Sequence, residues 1–337
     1  MKAVVCEEIN RLTIQDIDEP VRAQHEAIVA IRRIGVCGTD LHAYKGNQPF
    51  FTYPRILGHE LSGIIDDIGP NTAGLQAGDQ VSIIPYLHCG HCIACRTGKT
   101  NCCASMQVMG VHVDGGMREK ISVPVSHLIK AEGLTLDETA MVEPLSIGAH
   151  AVRRAGLQPG EQIVVIGAGP IGLGVMAFAK QAGARVIAID RNLDRLELSR
   201  TWAGADVVIQ ATDQVVERVA EVTEGDYATA VFDATGNVQS MNEAIRYVAH
   251  GGQLIYVGLV KADITFHDPE FHKREMSILG SRNATRADFE HVISTLRQKE
   301  LSMDGYITHR EHLTQLPSSM DKWLLPDTHV VKAIVEL

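Results

Sequence analysis

The sequence of 337 residues lacks any long uninterrupted run of apolar side chains. No stretch approaches the roughly 18 apolar residues that a membrane-spanning helix requires. The N-terminal stretch MKAVVCEEINRLTI interrupts its apolar residues with charged and polar ones, which is unlike an export signal. We therefore expect no membrane partner and a cytoplasmic location.

Basic residues are also in short supply. The chain has 31 Lys and Arg against 41 Asp and Glu, and its formal net charge is -10. A surface of this charge repels a phosphate backbone, so we expect no nucleic-acid partner. The length, with 45% hydrophobic and 21% charged residues, predicts a globular protein of two domains.

Cysteine is scarce, with seven residues in the chain, yet five of them lie in the stretch HCGHCIACRTGKTNCC, residues 88–103. In a reducing cytosol such a cluster favours a metal site over disulfides. The spacing C-x-x-C-x-x-C-x7-C is typical of a closed tetrahedral zinc site that holds a loop together and leaves no position for substrate. It selects Cys89, Cys92, Cys95 and Cys103. Spacing alone leaves open whether Cys102 replaces Cys103, and His88 and His91 are further possible ligands.

The chain changes texture near residue 149. Before it, short β-like runs alternate with Gly, Pro, Asn and Asp; after it, apolar strands alternate with helix-like segments. Alternation of this kind predicts an α/β fold with a doubly wound parallel sheet. We predict a β-rich domain at 1–148 with a cysteine lobe at about 86–104, an α/β domain at 149–281, and a segment at 282–337 that rejoins the first domain.

The α/β part opens with VVIGAGPIGLG, a G-x-G-x-x-G pattern between a strand and a helix. Such a turn brings the backbone close to a pyrophosphate and directs a helix N-terminus at it. Asp190 ends the next strand, where an acidic side chain binds the adenine ribose hydroxyls and repels a 2'-phosphate. We therefore predict NAD rather than NADP, although the neighbouring Arg191 is able to accommodate the phosphate. The predicted cofactor-binding residues are Gly167, Gly169, Pro170, Ile171, Gly172, Asp190 and Arg191.

Four further residues of metal-ligand type lie on three separate segments of the β-rich part. Cys37 occurs in GVCGTDLHAYKG, His59 and Glu60 in LGHELSG, and Glu143 in MVEPLSIG. A mixed sulfur, nitrogen and oxygen set is typical of catalytic zinc, which keeps one position for water or substrate. The sequence thus predicts two zinc ions per chain, one catalytic and one structural.

Taken together, these motifs resemble the zinc-dependent medium-chain dehydrogenase/reductase family, which includes alcohol, sorbitol and threonine dehydrogenases. The resemblance covers essentially the whole chain and implies a GroES-like catalytic domain with a Rossmann domain. It implies that Cys37 and His59 are zinc ligands. It also implies that one of Glu60 and Glu143 is a further ligand, while the other contacts the zinc-bound water or is an exchanging ligand. It also implies a proton path from Thr39 toward His42, with Asp40 orienting His59; the alternative for Thr39 is a hydroxyl that caps a turn.

Several stretches resemble a sugar-acid branch of this family, the L-galactonate (L-gulonate) 5-dehydrogenases: GNQPFFTYPRILGHE, GKTNCC, GVHVDGG and DPEFHKREMSILGSRNAT. The resemblance implies oxidation of a secondary alcohol at carbon 5 of a hexonate, and a homo-oligomer. A polyol such as sorbitol or xylitol, or L-threonine, is the alternative substrate. From other classes, a zinc-free quinone reductase-like enzyme and a non-enzymatic zinc-ribbon regulator are disfavoured by the second metal set.

Overall fold

This computed structural model describes residues 1–48 and 51–337. Residues 49 and 50, within the stretch GNQPFFTYPRILGHE, lie outside the described residues. The strands are β1 Lys2–Glu8, β2 Arg11–Asp16, β3 Glu26–Val36, β4 Arg55–Ile56, β5 Glu60–Ile68, β6 Gln80–Ile83, β7 Tyr86–Leu87, β8 Gln107–Val108, β9 Lys120–Pro124, β10 Leu128–Lys130, β11 Gln162–Ile166, β12 Arg185–Asp190, β13 Val207–Gln210, β14 Ala228–Asp233, β15 Val248–Tyr256, β16 Ser277–Gly280, β17 Ile307–His312 and β18 Lys332–Glu336. The α-helices are α1 Gly38–Tyr44, α2 Ile93–Arg96, α3 Leu136–Ala140, α4 Val142–Ala155, α5 Pro170–Gln181, α6 Leu193–Thr201, α7 Val215–Val222, α8 Val238–Glu243, α9 Asp268–Lys273, α10 Arg286–Arg297 and α11 Leu316–Trp323.

The described residues form two compact units. The first comprises Met1–Pro144 and Thr285–Leu337, and the second comprises Leu145–Ala284. The chain thus leaves the first unit near residue 144 and returns to it near residue 285, where the sequence reading placed these crossings at 148 and 282. At the return, Thr285 caps α10, and Asp288 accepts hydrogen bonds from the Thr285 backbone N–H and hydroxyl.

Strand β3 organises the first unit. It pairs with β5, β9 and β18 in a sheet whose main path is β10-β6-β5-β3-β18-β17. The alternating apolar side chains of these strands form one core with residues of β1 and α11. The C-terminal strand β18 therefore lies beside a strand that begins at residue 26, and it sets Ala333 opposite Val36.

The second unit is built on a six-stranded sheet in the order β13-β12-β11-β14-β15-β16, with every pairing parallel. Counted from its first strand this is the order 3-2-1-4-5-6 of the doubly wound fold. The near-continuous apolar strands are buried, as expected for strands covered on both faces. The strand–helix alternation predicted from the sequence is confirmed here.

One segment of this unit combines three kinds of structure within a few residues. The stretch NEAIRYVAHGG, residues 242–252, has a helix-like spacing of apolar residues. Helix α8 instead ends at Glu243, a 3-10 turn follows at Ala244–Tyr247, and β15 begins at Val248. The register of β15 against β14 shifts near Val248, so the strand starts irregularly. A helix-like spacing of apolar residues does not show that start.

No helix in residues 1–48 or 51–337 is long and apolar enough to cross a membrane.

Candidate active site and zinc centres

Strand pairing brings three predicted zinc ligands together. Gly35 of β3 lies opposite Glu60, the first residue of β5, so the chain just after β3 lies beside the start of β5. Ligand atoms of Cys37, His59 and Glu60 consequently lie within 4.8 Å of one another. His59 and Glu60 are buried, and Cys37 is half-buried.

The buried polar atoms of this cluster suit a divalent cation. Among the described residues, His59 Nδ1 and Glu60 Oε2 are both buried without a hydrogen-bond partner. Burial lowers the pKa of His59, but the negative groups around it, Asp40 and Cys37 first, outweigh burial and raise that pKa well above its usual value. A thiol, an imidazole and a carboxylate together are the donor set of catalytic zinc. The residues present therefore fit zinc.

Glu143 belongs to the same surroundings but is held differently. It is the second residue of α4, is buried, and its Oε1 accepts a hydrogen bond from the Tyr86 hydroxyl. Burial raises the pKa of Glu143 to about 7, with Glu60 adding to the rise while His59 and Tyr86 oppose it. Among the described residues, the group within 4.8 Å contains Glu60 and not Glu143.

Asp40 connects the two chain segments that carry Cys37 and His59. Its fully buried carboxylate accepts a hydrogen bond from the backbone N–H of Cys37 at 2.9 Å and from that of Gly58 at 3.1 Å. His59 Nδ1 lies 3.7 Å from Asp40 Oδ1, which is beyond hydrogen-bond distance. Asp40 thus fixes the backbone on both sides and lies beside the imidazole that it was expected to orient.

Thr39 and His42 lie on α1, which starts directly after Cys37. They are three residues apart, so they occupy one face of the helix. Thr39 is half-buried and His42 is exposed, an order that runs from the cluster side toward solvent. Their proposed part in a proton path stays a prediction.

Sequence reasoning missed two buried residues at this cluster, Tyr86 and Lys332. Lys332 begins β18, and its Nζ lies 2.5 Å from Glu60 Oε1. Burial would lower the pKa of Lys332, but Glu60 and Cys37 outweigh burial and raise it. The available signal was a lone lysine inside the apolar run VVKAIVEL, which predicts a buried strand and thus a lysine that needs a partner.

The cysteine lobe forms a second cluster. Sulfur atoms of Cys89, Cys92, Cys95 and Cys103 lie within 4.8 Å of one another, and none of these cysteines is in a disulfide. Backbone N–H groups point at the sulfurs: Cys89 N is 3.2 Å from Cys103 Sγ, and Ala104 N is 3.5 Å from Cys92 Sγ. The bond from Ala104 is the main cause that lowers the pKa of Cys92 to about 6. Four converging sulfurs with thiolate-stabilising donors fit a structural zinc ion.

The geometry also bears on the alternatives left open for this lobe. Cys103 is buried and part of the sulfur group, whereas Cys102 is exposed and outside it. His91 Nδ1 lies 2.8 Å from the backbone oxygen of Cys89, and the ring of His88 contacts that of His127 at a tilt of 41° with the centroids 5.0 Å apart. Neither histidine is in the group that the described residues form.

In the second unit, the glycine turn follows β11 at the point where the strand order reverses between β11 and β14. Gly167 has a φ of +94°, which favours glycine, and a Cβ on Gly172 would lie 1.7 Å from the Gly167 oxygen. A Cβ on Gly169 would meet no heavy atom within 4 Å. The turn is therefore closely packed at Gly172 and open at Gly169, as a backbone that a phosphate approaches must be.

The other predicted cofactor residues surround this turn. Pro170 and Ile171 begin α5, with Pro170 in the first-turn position that proline favours. Asp190 ends β12, and its carboxylate accepts hydrogen bonds from Ala168 N at 2.6 Å and Asn192 N at 2.8 Å. Arg191 is exposed. The residues thus fit a dinucleotide, and their binding roles stay a prediction.

Comparison with known proteins agrees with this geometry. Residues 23–133 match the alcohol dehydrogenase GroES-like domain, and residues 170–298 match the zinc-binding dehydrogenase domain. The L-galactonate-5-dehydrogenase of Escherichia coli K12 is 41% identical over 335 residues, which cover 99% of this chain and 98% of that protein. The chain belongs to the zinc-type medium-chain alcohol dehydrogenase family. The predicted combination of a GroES-like domain and a Rossmann-type parallel sheet is confirmed.

Solved structures of this alcohol dehydrogenase family match the whole chain. An alcohol dehydrogenase of Escherichia coli CFT073 in complex with NADH has a TM-score of 0.93 at 30% identity, covering 100% of this chain and 99% of that one. A zinc-binding dehydrogenase of Sinorhizobium meliloti 1021 bound to NADP has a TM-score of 0.92 at 26% identity, with the same coverage. The family membership makes this protein a zinc-dependent dehydrogenase, and its neighbours include both cofactor types.

Proposed function

We propose that this dehydrogenase oxidises a secondary alcohol of a sugar acid, L-galactonate or L-gulonate at carbon 5, with NAD as the hydride acceptor. The observation that carries the proposal is the 41% identity to L-galactonate-5-dehydrogenase across nearly the full length of both chains. The buried cluster of Cys37, His59 and Glu60 supports it, because the chain retains a donor set for an alcohol-activating metal.

The residues would share the work as follows. Cys37 and His59, with Glu60 or Glu143, would hold zinc, and the glycine turn with Asp190 would hold NAD. When bound, zinc supplies Lewis acidity that lowers the pKa of the substrate hydroxyl, and NAD accepts the hydride. Buried surroundings strengthen these electrostatic effects, because they exclude water.

Proton release is assigned to α1. Thr39 would accept the proton that the substrate hydroxyl loses as its own hydroxyl proton moves on toward His42, and the exposed His42 would release a proton to solvent. Asp40 would keep Cys37 and His59 in place through its bonds to the backbone N–H groups of Cys37 and Gly58.

The preference for NAD rests on Asp190. Its carboxylate lies at the end of β12, where it would bind ribose hydroxyls and repel a 2'-phosphate. The homo-oligomeric assembly and the cytoplasmic location expected from the sequence stay predictions.

The proposal is tested by initial rates of the zinc-replete enzyme with L-galactonate, L-gulonate, sorbitol, xylitol and L-threonine, each with NAD and with NADP. We expect the highest kcat/KM with one of the two hexonates and NAD. A neutral polyol or threonine oxidised as efficiently as the hexonates would overturn the substrate assignment and leave the zinc and hydride chemistry standing. Equal rates with NADP would overturn the role of Asp190.

A further inference from the structure

The first unit buries a lysine beside the predicted catalytic zinc ligands. Among the described residues, Lys332 is the one Lys or Arg that is fully buried, with 2% of its surface exposed. Its Nζ donates to Glu60 Oε1 at 2.5 Å and to the backbone oxygen of Val36 at 3.1 Å. It therefore links the strand end before Cys37 to the carboxylate of Glu60.

A buried ion pair contributes little net stability to a fold. The desolvation of both charges offsets most of their attraction, and well-packed apolar residues of similar volume are often as stable or more so. The neighbours of Lys332 in β18 are apolar and buried, and they already contribute to the core. The pair is therefore better explained by what it does to the Glu60 carboxylate than by stability.

The two oxygens of Glu60 have different surroundings. Oε1 is bound by Lys332, whereas Oε2 is buried without a hydrogen-bond partner. Space for Oε2 exists because residue 35 is glycine, since a Cβ there would lie 2.0 Å from that oxygen. The carboxylate is thus held by one oxygen, and the other is left available beside Cys37 and His59.

Lys332 also affects the net charge around the cluster. The cluster and its neighbours contain the carboxyl groups of Asp40, Glu60 and Glu143 and the thiol of Cys37, with Lys332 as their buried cation. Each negative group that a bound divalent cation faces tightens its binding but reduces its pull on a substrate oxygen. The positive charge of Lys332 beside the Glu60 carboxylate moderates that reduction.

We propose that Lys332 is a positioning residue that restrains Glu60 through one oxygen and offsets its charge, so that a metal ion held beside Cys37 and His59 stays a strong Lewis acid. The inference rests on the proposed zinc-dependent function. It does not depend on which alcohol is the substrate.

The test is Lys332→Met, with zinc affinity measured by chelator competition without substrate. Removing the lysine frees both Glu60 oxygens, so we expect zinc at this site to bind at least about tenfold more tightly, while kcat falls about a hundredfold. In cobalt-substituted enzyme, the visible absorption is expected to weaken as the second Glu60 oxygen raises the coordination number. Lys332→Arg keeps the charge and is expected to recover most of kcat.

Two further variants keep the inference falsifiable. Lys332→Met leaves a buried Glu60 unpaired, and this single variant could fail to fold for that reason alone. The double variant Lys332→Met/Glu60→Gln removes both charges. We expect the double variant to fold and to bind zinc no more tightly than wild type. Lys299→Met removes an exposed lysine that pairs with Glu138 in the same unit, and it is expected to leave zinc affinity and kcat unchanged.

Weaker or unchanged zinc binding in Lys332→Met, or an unchanged kcat, overturns the inference and leaves Lys332 a structural residue. The proposed substrate fails separately, because the zinc and cobalt measurements need no substrate. Loss of hexonate oxidation in wild type together with the expected zinc shift would reject the substrate and keep the role of Lys332.

Discussion

Gly169 and Gly172 are both glycines of the G-x-G-x-x-G motif, but the space around their Cα atoms differs. A methyl group on Gly172 would collide with the backbone oxygen of Gly167, whereas one on Gly169 would meet nothing within 4 Å. Gly169 also has a φ of -74°, which alanine adopts without strain. The two positions therefore separate folding from cofactor binding.

We predict that Gly172→Ala lowers the free energy of unfolding by about 2 kcal/mol or more, because the turn must open. Gly169→Ala is expected to change that free energy by less than about 1 kcal/mol but to weaken NAD binding at least about tenfold, since its methyl occupies the space a pyrophosphate approaches. Urea unfolding and calorimetric titration with NAD measure the two effects. Unimpaired NAD binding by Gly169→Ala would count against the cofactor assignment.

Individual site residues differed in how far sequence could predict them. Cys37, His59 and Glu60 were found because their motifs carry ligand types, and the structure brings those three together. Lys332 and Tyr86 were not found. Neither lies in a motif, and their places depend on β18 pairing with β3 and on a short strand β7, which local spacing does not show.

At the scale of elements, the cysteine lobe around α2 has little apolar interior of its own. Its helix has four residues, none of them buried, and Ile93 is exposed. Its order must therefore come from the sulfur cluster and the metal it fits.

We predict that Cys103→Ser removes one zinc per chain and makes residues 86–104 sensitive to limited proteolysis. Cys102→Ser is the matched control, because it changes the adjacent exposed thiol outside the sulfur group. Zinc analysis and protease mapping of both variants check this. Zinc loss in Cys102→Ser with retention in Cys103→Ser would reverse the assignment.

A second element-scale feature joins α3 to two strands. Asp137, in the first turn of α3, accepts hydrogen bonds from Arg33 of β3 at 2.9 Å and from Arg310 of β17 at 2.5 Å. Burial raises the pKa of Asp137, but Arg310 and then Arg33 outweigh it and lower that pKa below 3.8. A folded-state pKa below the unfolded value contributes stability above about pH 4, and that stability is lost as the pH falls through the folded-state value.

We therefore predict that Asp137→Asn lowers the free energy of unfolding by about 1 kcal/mol at pH 7 and equally at pH 5. The difference from wild type should begin to shrink below about pH 4, where the carboxylate of the unfolded chain becomes protonated, and should vanish below the folded-state pKa. Urea unfolding across this range measures it. The control is Asp304→Asn, which changes an exposed carboxylate that lines the same cleft as Asp137, and it is expected to change stability by less than about 0.5 kcal/mol at every pH.

At the scale of the whole molecule, the sequence predicted the alternation of strands and helices but not the pairing of strands that are distant in sequence. The parallel sheet followed from strands and helices that recur in order, because such units stack as neighbours. The mainly antiparallel sheet of the first unit depends on contacts such as β18 with β3, almost 300 residues apart in sequence, which no periodicity encodes. The start of β15 is hidden from local spacing for a related reason, since pairing with β14 decides where the strand begins.

The count of metal ions tests both clusters in the intact molecule. The two groups share no residue, both lie in the first unit, and no other group of three or more converging metal-binding side chains occurs in residues 1–48 or 51–337. We predict two zinc ions per chain in wild type, one in Cys37→Ala, one in Cys103→Ser and none in the double variant, measured by elemental analysis of gel-filtered protein.

Cys37→Ala and Cys103→Ser are expected to have the same zinc content but different activities. Cys37→Ala is expected to abolish alcohol oxidation while the lobe stays protease-resistant, because the lobe keeps its own ion. Cys103→Ser is expected to retain measurable turnover at low temperature, since the Cys37 cluster keeps its donors. One zinc in wild type, bound by the lobe alone, would leave the Cys37 cluster without a catalytic role and would require a metal-free explanation for its unpartnered His59 and Glu60 atoms.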